Sequence, residues 1–211
     1  GNYEECNMLL YRASKFTALL YTLIAIPAFF KMDFLLSVWL TEVPPMCSTF
    51  CRFMLINSFF TMFFNVLSVG VHATGYIKKL SIICGSCYML TLPIIYAGYK
   101  FGLPVQFAYE LAIISSLTVL VINTCILKLQ LPDFSALSFI QVSFIPTLLV
   151  VVVSTTGIYI LNRSIENSSI VWDVFSLLLF PVITCLTIAV FGLSSDERRI
   201  IITTVKNKFL N

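Results

Sequence analysis

Two acids and two cations occur where an apolar chain has little reason to carry charge. Glu110 and Asp173 each lie five or six residues inside a long apolar run, and Lys31 and Arg52 fall near the ends of two others. An ionised side chain facing lipid costs about 2.5–3.5 kcal/mol at the bilayer centre and less towards the surface. Such groups are therefore expected to turn inward or to pair. The chemistry they offer is ion binding: carboxylates for a coupling H⁺ or Na⁺, cations for an anionic headgroup. The spacing predicts one polar site built from Glu110, Asp173 and a cation, and the competing reading is snorkelling to the interface. "CGSC", Cys84 to Cys87, has the spacing of a redox or zinc pair. It sits inside an apolar run with His72 as the chain's single histidine, so small packing residues are the expectation, with no metal and no cofactor.

The elements that must hold these groups are membrane helices. Hydrophobic residues make up 59% of the 211 and charged residues only 11%, about half the charged share usual in soluble domains. A helix needs about 20 apolar residues to cross a hydrocarbon core. Six runs qualify, at about 16–38, 49–71, 80–99, 105–127, 138–161 and 168–192. Lys31 and Asp33 interrupt the first, which is read as a span followed by a short interfacial helix, Phe34 to Leu40, anchored by Trp39. The net charge of +3 comes with no basic domain, which argues against a nucleic-acid partner. Short loops with one histidine argue against an enzyme.

Six spans put both ends of the chain on one side. Arg12, Lys15, Lys78, Lys79, Lys128, Arg198, Arg199, Lys206 and Lys208 share that side, against Lys31, Arg52, Lys100 and Arg163 on the other. The positive-inside rule then makes both termini cytoplasmic. "SSDERRIIITTVKNKFLN" is predicted to be a surface helix over about 195–209, with Ser194 or Ser195 as N-cap.

At 100° per residue, Ser58, Thr61, Asn65, Ser68 and His72 share a face of the second span, as do Ser81, Cys84, Tyr88 and Thr91 of the third. Asp173, Ser176, Thr184 and Thr187 do so in the sixth. These stripes either glue helices together or line a hydrated cavity. The fifth span shows almost no polar face and is expected to meet lipid. Pro27, Pro93, Pro146 and Pro181 lie inside spans, where neighbouring helices tolerate the kinks. Arg52 lies about 140° from Asn65, so it is expected to snorkel or to pair with Glu110 or Asp173.

"LLSVWLTEVPP", "FCRFMLIN", "HATGYIKKLSII" and "GLSSDERRIIITTVKNK" fall in order between these spans. From about Tyr11 onward the chain resembles the C-terminal half of bacterial polysaccharide-transport proteins. These are the O-antigen and capsule repeat-unit flippases of the multidrug/oligosaccharidyl-lipid/polysaccharide exporter superfamily. The resemblance implies one all-α lobe of a two-lobe, 12 to 14 helix transporter in the inner membrane. Its partners would be a missing N-terminal lobe and a polyprenyl-pyrophosphate-linked oligosaccharide, flipped by alternating access. Six spans suit one lobe of a parallel repeat, so the chain is expected to be part of a longer protein. Under that reading Lys78 and Lys79 meet the pyrophosphate first at the cytoplasmic mouth, Arg52 is an available cation for the outer-leaflet site, Asn65 lies on the sugar-facing stripe, and Glu110 and Asp173 could bind a coupling ion. The alternatives are a cation-coupled drug or metabolite exporter of the same superfamily and an accessory membrane subunit.

Overall fold

A computed structural model describes residues 3–131, 133–164, 170–194 and 197–199. Its elements are α1 (Tyr3–Phe30), α2 (Met32–Trp39), α3 (Cys47–Ala73), α4 (Ile77–Lys100), α5 (Phe107–Gln130), α6 (Ala136–Phe139), α7 (Ile145–Ser164) and α8 (Ile170–Thr187). A π segment, Ile140–Phe144, joins α6 to α7, and a second, Ile188–Gly192, extends α8. Among the described residues six helices are long and apolar enough to cross a membrane: Glu4–Phe30, Cys47–Ala73, Ile77–Lys100, Phe107–Gln130, Ala136–Arg163 and Val171–Gly192. The chain is an all-helical, multi-pass membrane protein.

The first span begins earlier than expected, at Glu4 where the sequence reading put about 16, and it ends at Phe30, where a break at Lys31 and a short following helix, α2, agree with the reading of a span followed by a short helix. The polar start "YEECN" can still enter the helix because Asn7, and Ser14 two turns on, are buried. Lys31 leaves helical geometry (φ −106°, ψ 23°) and the chain restarts as α2. Most of the expected 195–209 tail helix lies outside the described residues.

Turns end the helices by specific backbone chemistry. Gly102 takes φ 80° after α4, where its N–H bonds Tyr99 O and that of Leu103 bonds Gly98 O. This Schellman closure satisfies carbonyls that the helix end leaves open. Gly75, also at φ 80°, makes the tight turn between α3 and α4. Pro146 has no N–H for the helical ladder, and just before it the ladder widens: Ile145 N–H bonds Ile140 O, five residues back.

Helix α1 is central, lying against α3 on one side and α7 and α8 on the other; α5 packs along α3, and α4 packs on α5. The larger apolar cluster includes Phe63, Leu67, Val119 and Leu127. A smaller one, Ile26, Ile158 and Phe180, joins α1, α7 and α8. Lipid tails are as apolar as these side chains, so close packing and polar contacts must hold the helices together. Asn123, fully buried, donates from Nδ2 to Phe64 O at 3.0 Å, and Ser116 donates to Asn57 Oδ1 across the same α3–α5 seam. Ser143 donates to Tyr11 O at 2.6 Å, and Tyr11 Oη both donates to and accepts from the Ser135 backbone.

The fifth span does not follow its predicted role. Ser143, Thr147, Val150, Ser154 and Ile158 are all fully buried and form one seam. Ser154 Oγ lies 2.5 Å from Thr187 Oγ1 of α8. Three small hydroxyls at spacings of four and seven are the part of the pattern that lets α7 approach α1 and α8 closely.

Candidate functional site

The charged groups gather at two ends of the bundle. At the α1–α2 break, Lys31 is only 7% exposed and donates to Asp173 Oδ1 at 2.8 Å. Its ammonium lies 6.0 Å from the Trp172 ring and 5.7 Å from the Phe180 ring, inside the range of cation–π attraction. The sequence places it there for a local reason: Lys31 takes non-helical backbone angles while its N–H still bonds Pro27 O. The pair opens into a cleft of about 660 Å³ lined also by Asp33, Phe34 and Ser37.

Beside this cleft Arg52 donates from Nη2 to Asp33 Oδ2 at 2.6 Å and from Nε to Phe29 O at 3.1 Å. Asp33 is held below its ordinary carboxylate range by a Ser48 hydrogen bond, with Arg52 adding to the effect and partial burial opposing it. The expected partner of Arg52 was Glu110 or Asp173. The structure gives Asp33 instead, because α2 folds back on α3 and carries that carboxylate to the first turns of the span.

Glu110 is exposed and has no ion-pair partner among the described residues, so it does not join Asp173 in one site. It sits in the first turn of α5, where the helix dipole favours a negative charge, and that position alone accounts for an acid here. Of the expected triad, the structure brings together Asp173 and the cation Lys31.

The predicted polar faces divide. In α8 Ser176 and Thr184 are fully buried, and the stripe turns inward as expected. In α3 only Ser68 of the stripe is buried, while Ser58, Asn65 and His72 are exposed on the surface of this chain. In α4 Cys84 is buried and Ser81 and Tyr88 are exposed. The two stripes meet through α5, since Ser116 accepts from Thr61 Oγ1 at 3.5 Å and also hydrogen-bonds the Tyr88 side chain. Lys78 and Lys79 are exposed at the start of α4, Lys79 lying 5.2 Å from the Tyr76 ring.

At the opposite end Lys15, 3% exposed, bonds Glu197 Oε2 at 2.5 Å. Glu197 also accepts from Ser194 N–H at 2.8 Å, and its own N–H bonds Ser194 Oγ. This reciprocal capping box fixes Ser194 as the cap and turns the acid toward Lys15. Burial raises the Glu197 pKa, but the Lys15 and Ser194 contacts outweigh it and hold the carboxyl below its ordinary value. In the sequence Lys15 reads as a topology charge. The S-x-x-E spacing from Ser194 to Glu197 is the signal that selects Ser194 over Ser195 as the cap; nothing in the sequence points to Lys15 as the partner of Glu197.

The Lys31 cleft gathers the polar groups at this end of the bundle. It offers one ammonium, two carboxylates and a hydroxyl around an open volume, at the end of helices that otherwise present hydrocarbon. Comparisons with protein-family models, with curated proteins and with solved structures return no match.

Proposed function

We propose that the chain is one lobe of an inner-membrane flippase that moves a polyprenyl-pyrophosphate-linked oligosaccharide between leaflets by alternating access, with both termini cytoplasmic. The observation that carries this reading is Lys31, a nearly buried lysine facing a polar cleft at the end of a membrane bundle. A phosphate group can replace Asp173 as its counter-charge, and the Trp172 and Phe180 rings keep the ammonium in place as that exchange occurs. The exposed Ser58, Asn65 and Tyr88 support the same reading. Side chains that can hydrogen-bond sit on the outside of this chain, where a second lobe would turn them into a cavity wall. Lys78 and Lys79, exposed together, supply a cationic mouth at the other membrane face.

A cation-coupled exporter is the second reading, favoured by one feature: Asp33 and Asp173 line the same cleft. The test separating the two is depletion of the intact protein from its cells. A flippase predicts accumulation of lipid-linked oligosaccharide that extracellular periodate cannot reach in spheroplasts. Unchanged periodate access, with raised sensitivity to lipophilic cations, would favour the exporter and overturn the flippase reading.

A further inference from the structure

An apolar groove of about 270 Å³, sharing no lining residue with the Lys31 cleft, runs between α1, α3 and α7. Ala25 and Phe29 of α1, Ile56 and Phe59 of α3, and Leu148 of α7 form its wall, and Ile56 and Leu148, each about 40% exposed, lie at its open rim. The polar atoms in the wall are already used: Tyr21 Oη donates to Leu55 O at 2.8 Å, Thr22 Oγ1 to Ala18 O at 2.7 Å, and Thr155 Oγ1 to Val151 O at 2.7 Å. The groove therefore offers dispersion contacts and nothing for water. All three helices are membrane spans, so the medium at its rim is hydrocarbon.

One end is charged. Arg52 precedes Ile56 by four residues and Phe59 by seven, on the same face of α3, and its guanidinium lies 5.9 Å from the Phe29 ring. Phe59 lies about 10 Å deeper than Arg52 along the helix at 1.5 Å per residue. That separation matches a headgroup phosphate above its acyl chain within a leaflet about 15 Å thick. Two of the five arginine donors go to Phe29 O and Asp33, and the side chain remains 30% exposed. Nη1 keeps donors for a phosphate, and guanidinium geometry suits one.

We propose that this groove is a binding site for one anionic glycerophospholipid, its phosphate on Arg52 and an acyl chain lying along Phe29, Ile56 and Phe59. The volume is adequate: a cavity of about 150 Å³ holds a benzene, so a groove nearly twice that size takes a run of acyl methylenes. The inference does not depend on the transport reading, since any protein with this surface would hold the same lipid.

The test is native mass spectrometry of the intact protein, delipidated in detergent and titrated with phosphatidylglycerol, phosphatidylcholine or a polyprenyl phosphate. Wild type is expected to bind one phosphatidylglycerol at least tenfold more tightly than phosphatidylcholine. Arg52→Gln should reduce that preference to within twofold while still taking a lipid. Ala25→Leu, which fills the groove floor, should weaken binding of both at least tenfold. Leu148→Trp fills the groove from its exposed rim and gives the same readout should Ala25→Leu not fold. Absence of a saturable lipid on wild type, undiminished binding in the filled variants, or tighter binding of the polyprenyl phosphate than of phosphatidylglycerol would each overturn the proposal.

Discussion

Neutralising either member of the Lys31–Asp173 pair should not cost the same amount, and the asymmetry can be worked from their surroundings. The Asp173 side chain is 27% exposed and that of Lys31 only 8%. In Lys31→Met the aliphatic stem still fills its place against Phe180, and the abandoned carboxylate can hydrate through the cleft. In Asp173→Asn the amide oxygen still accepts the hydrogen bond, but the ammonium is left nearly sealed without a counter-charge. Stranding a buried charge costs about 3–5 kcal/mol. Asp173→Asn should approach the lower figure, about 3 kcal/mol, while Lys31→Met, relieved by water, should cost about 1–2 kcal/mol. The double variant strands no charge and should recover at least about 1 kcal/mol relative to the sum of the singles. Reversible unfolding in mixed detergent and sodium dodecyl sulfate micelles reads all four corners of the cycle. Equal costs for the two singles, or strict additivity in the double, would refute the reasoning that Lys31 is the sealed partner.

Three further outcomes follow from the same structure. A Cβ on Gly98 would lie 2.4 Å from Phe107 Cε1, whereas one on Gly157 would meet nothing within 4 Å. In the same unfolding assay Gly98→Ala should therefore cost about 1–3 kcal/mol and Gly157→Ala should be neutral or mildly stabilising. The Glu197 carboxyl is depressed in the folded state, so its contribution is complete above the ordinary value of 4.5 and is lost as pH falls through the lower folded value. Stability should be level with respect to this group from pH 7 to 5 and fall below about 4.5; a Lys15→Met/Glu197→Gln variant should lack that component of the acid loss. For topology, in a background lacking the seven natural cysteines, Glu42→Cys should react with an impermeant maleimide from outside intact cells. Lys79→Cys should react only after permeabilisation, and the opposite pattern would invert the proposed orientation.

Helix number and order were legible because hydropathy over twenty residues is a strong, local signal. The start of span one was not, although the break at Lys31 was. "YEECN" reads as an extramembrane segment until Asn7 and Ser14 are seen buried, which is a tertiary fact. Asp173 was correctly singled out as an inward-facing acid needing a cation, since an unpaired charge at that depth is costly. The identity of partners was illegible: Arg52 pairs with Asp33 because α2 folds back, and no periodicity encodes that turn. Glu110 was singled out by depth, and the structure sets it apart from Asp173, exposed in the first turn of α5. The fifth span misled because its hydroxyls, at 143, 147 and 154, are few among valines and leucines, yet all face one seam. The polar stripes of α3 and α4 were visible as stripes, but which side they face depends on how α5 sits between those helices.

The central claim, that the Lys31 cleft handles the phosphate of a lipid-linked oligosaccharide, is tested most directly by one measurement. The intact protein is reconstituted in proteoliposomes, and flipping of a fluorescent polyprenyl-pyrophosphate oligosaccharide is timed for wild type, Lys31→Met, Lys31→Arg and an exposed control, Lys100→Met. The account predicts at least a tenfold slower rate in Lys31→Met, substantial rescue by Lys31→Arg and no change in the control. Flipping at the wild-type rate in Lys31→Met, with the protein folded, would contradict it.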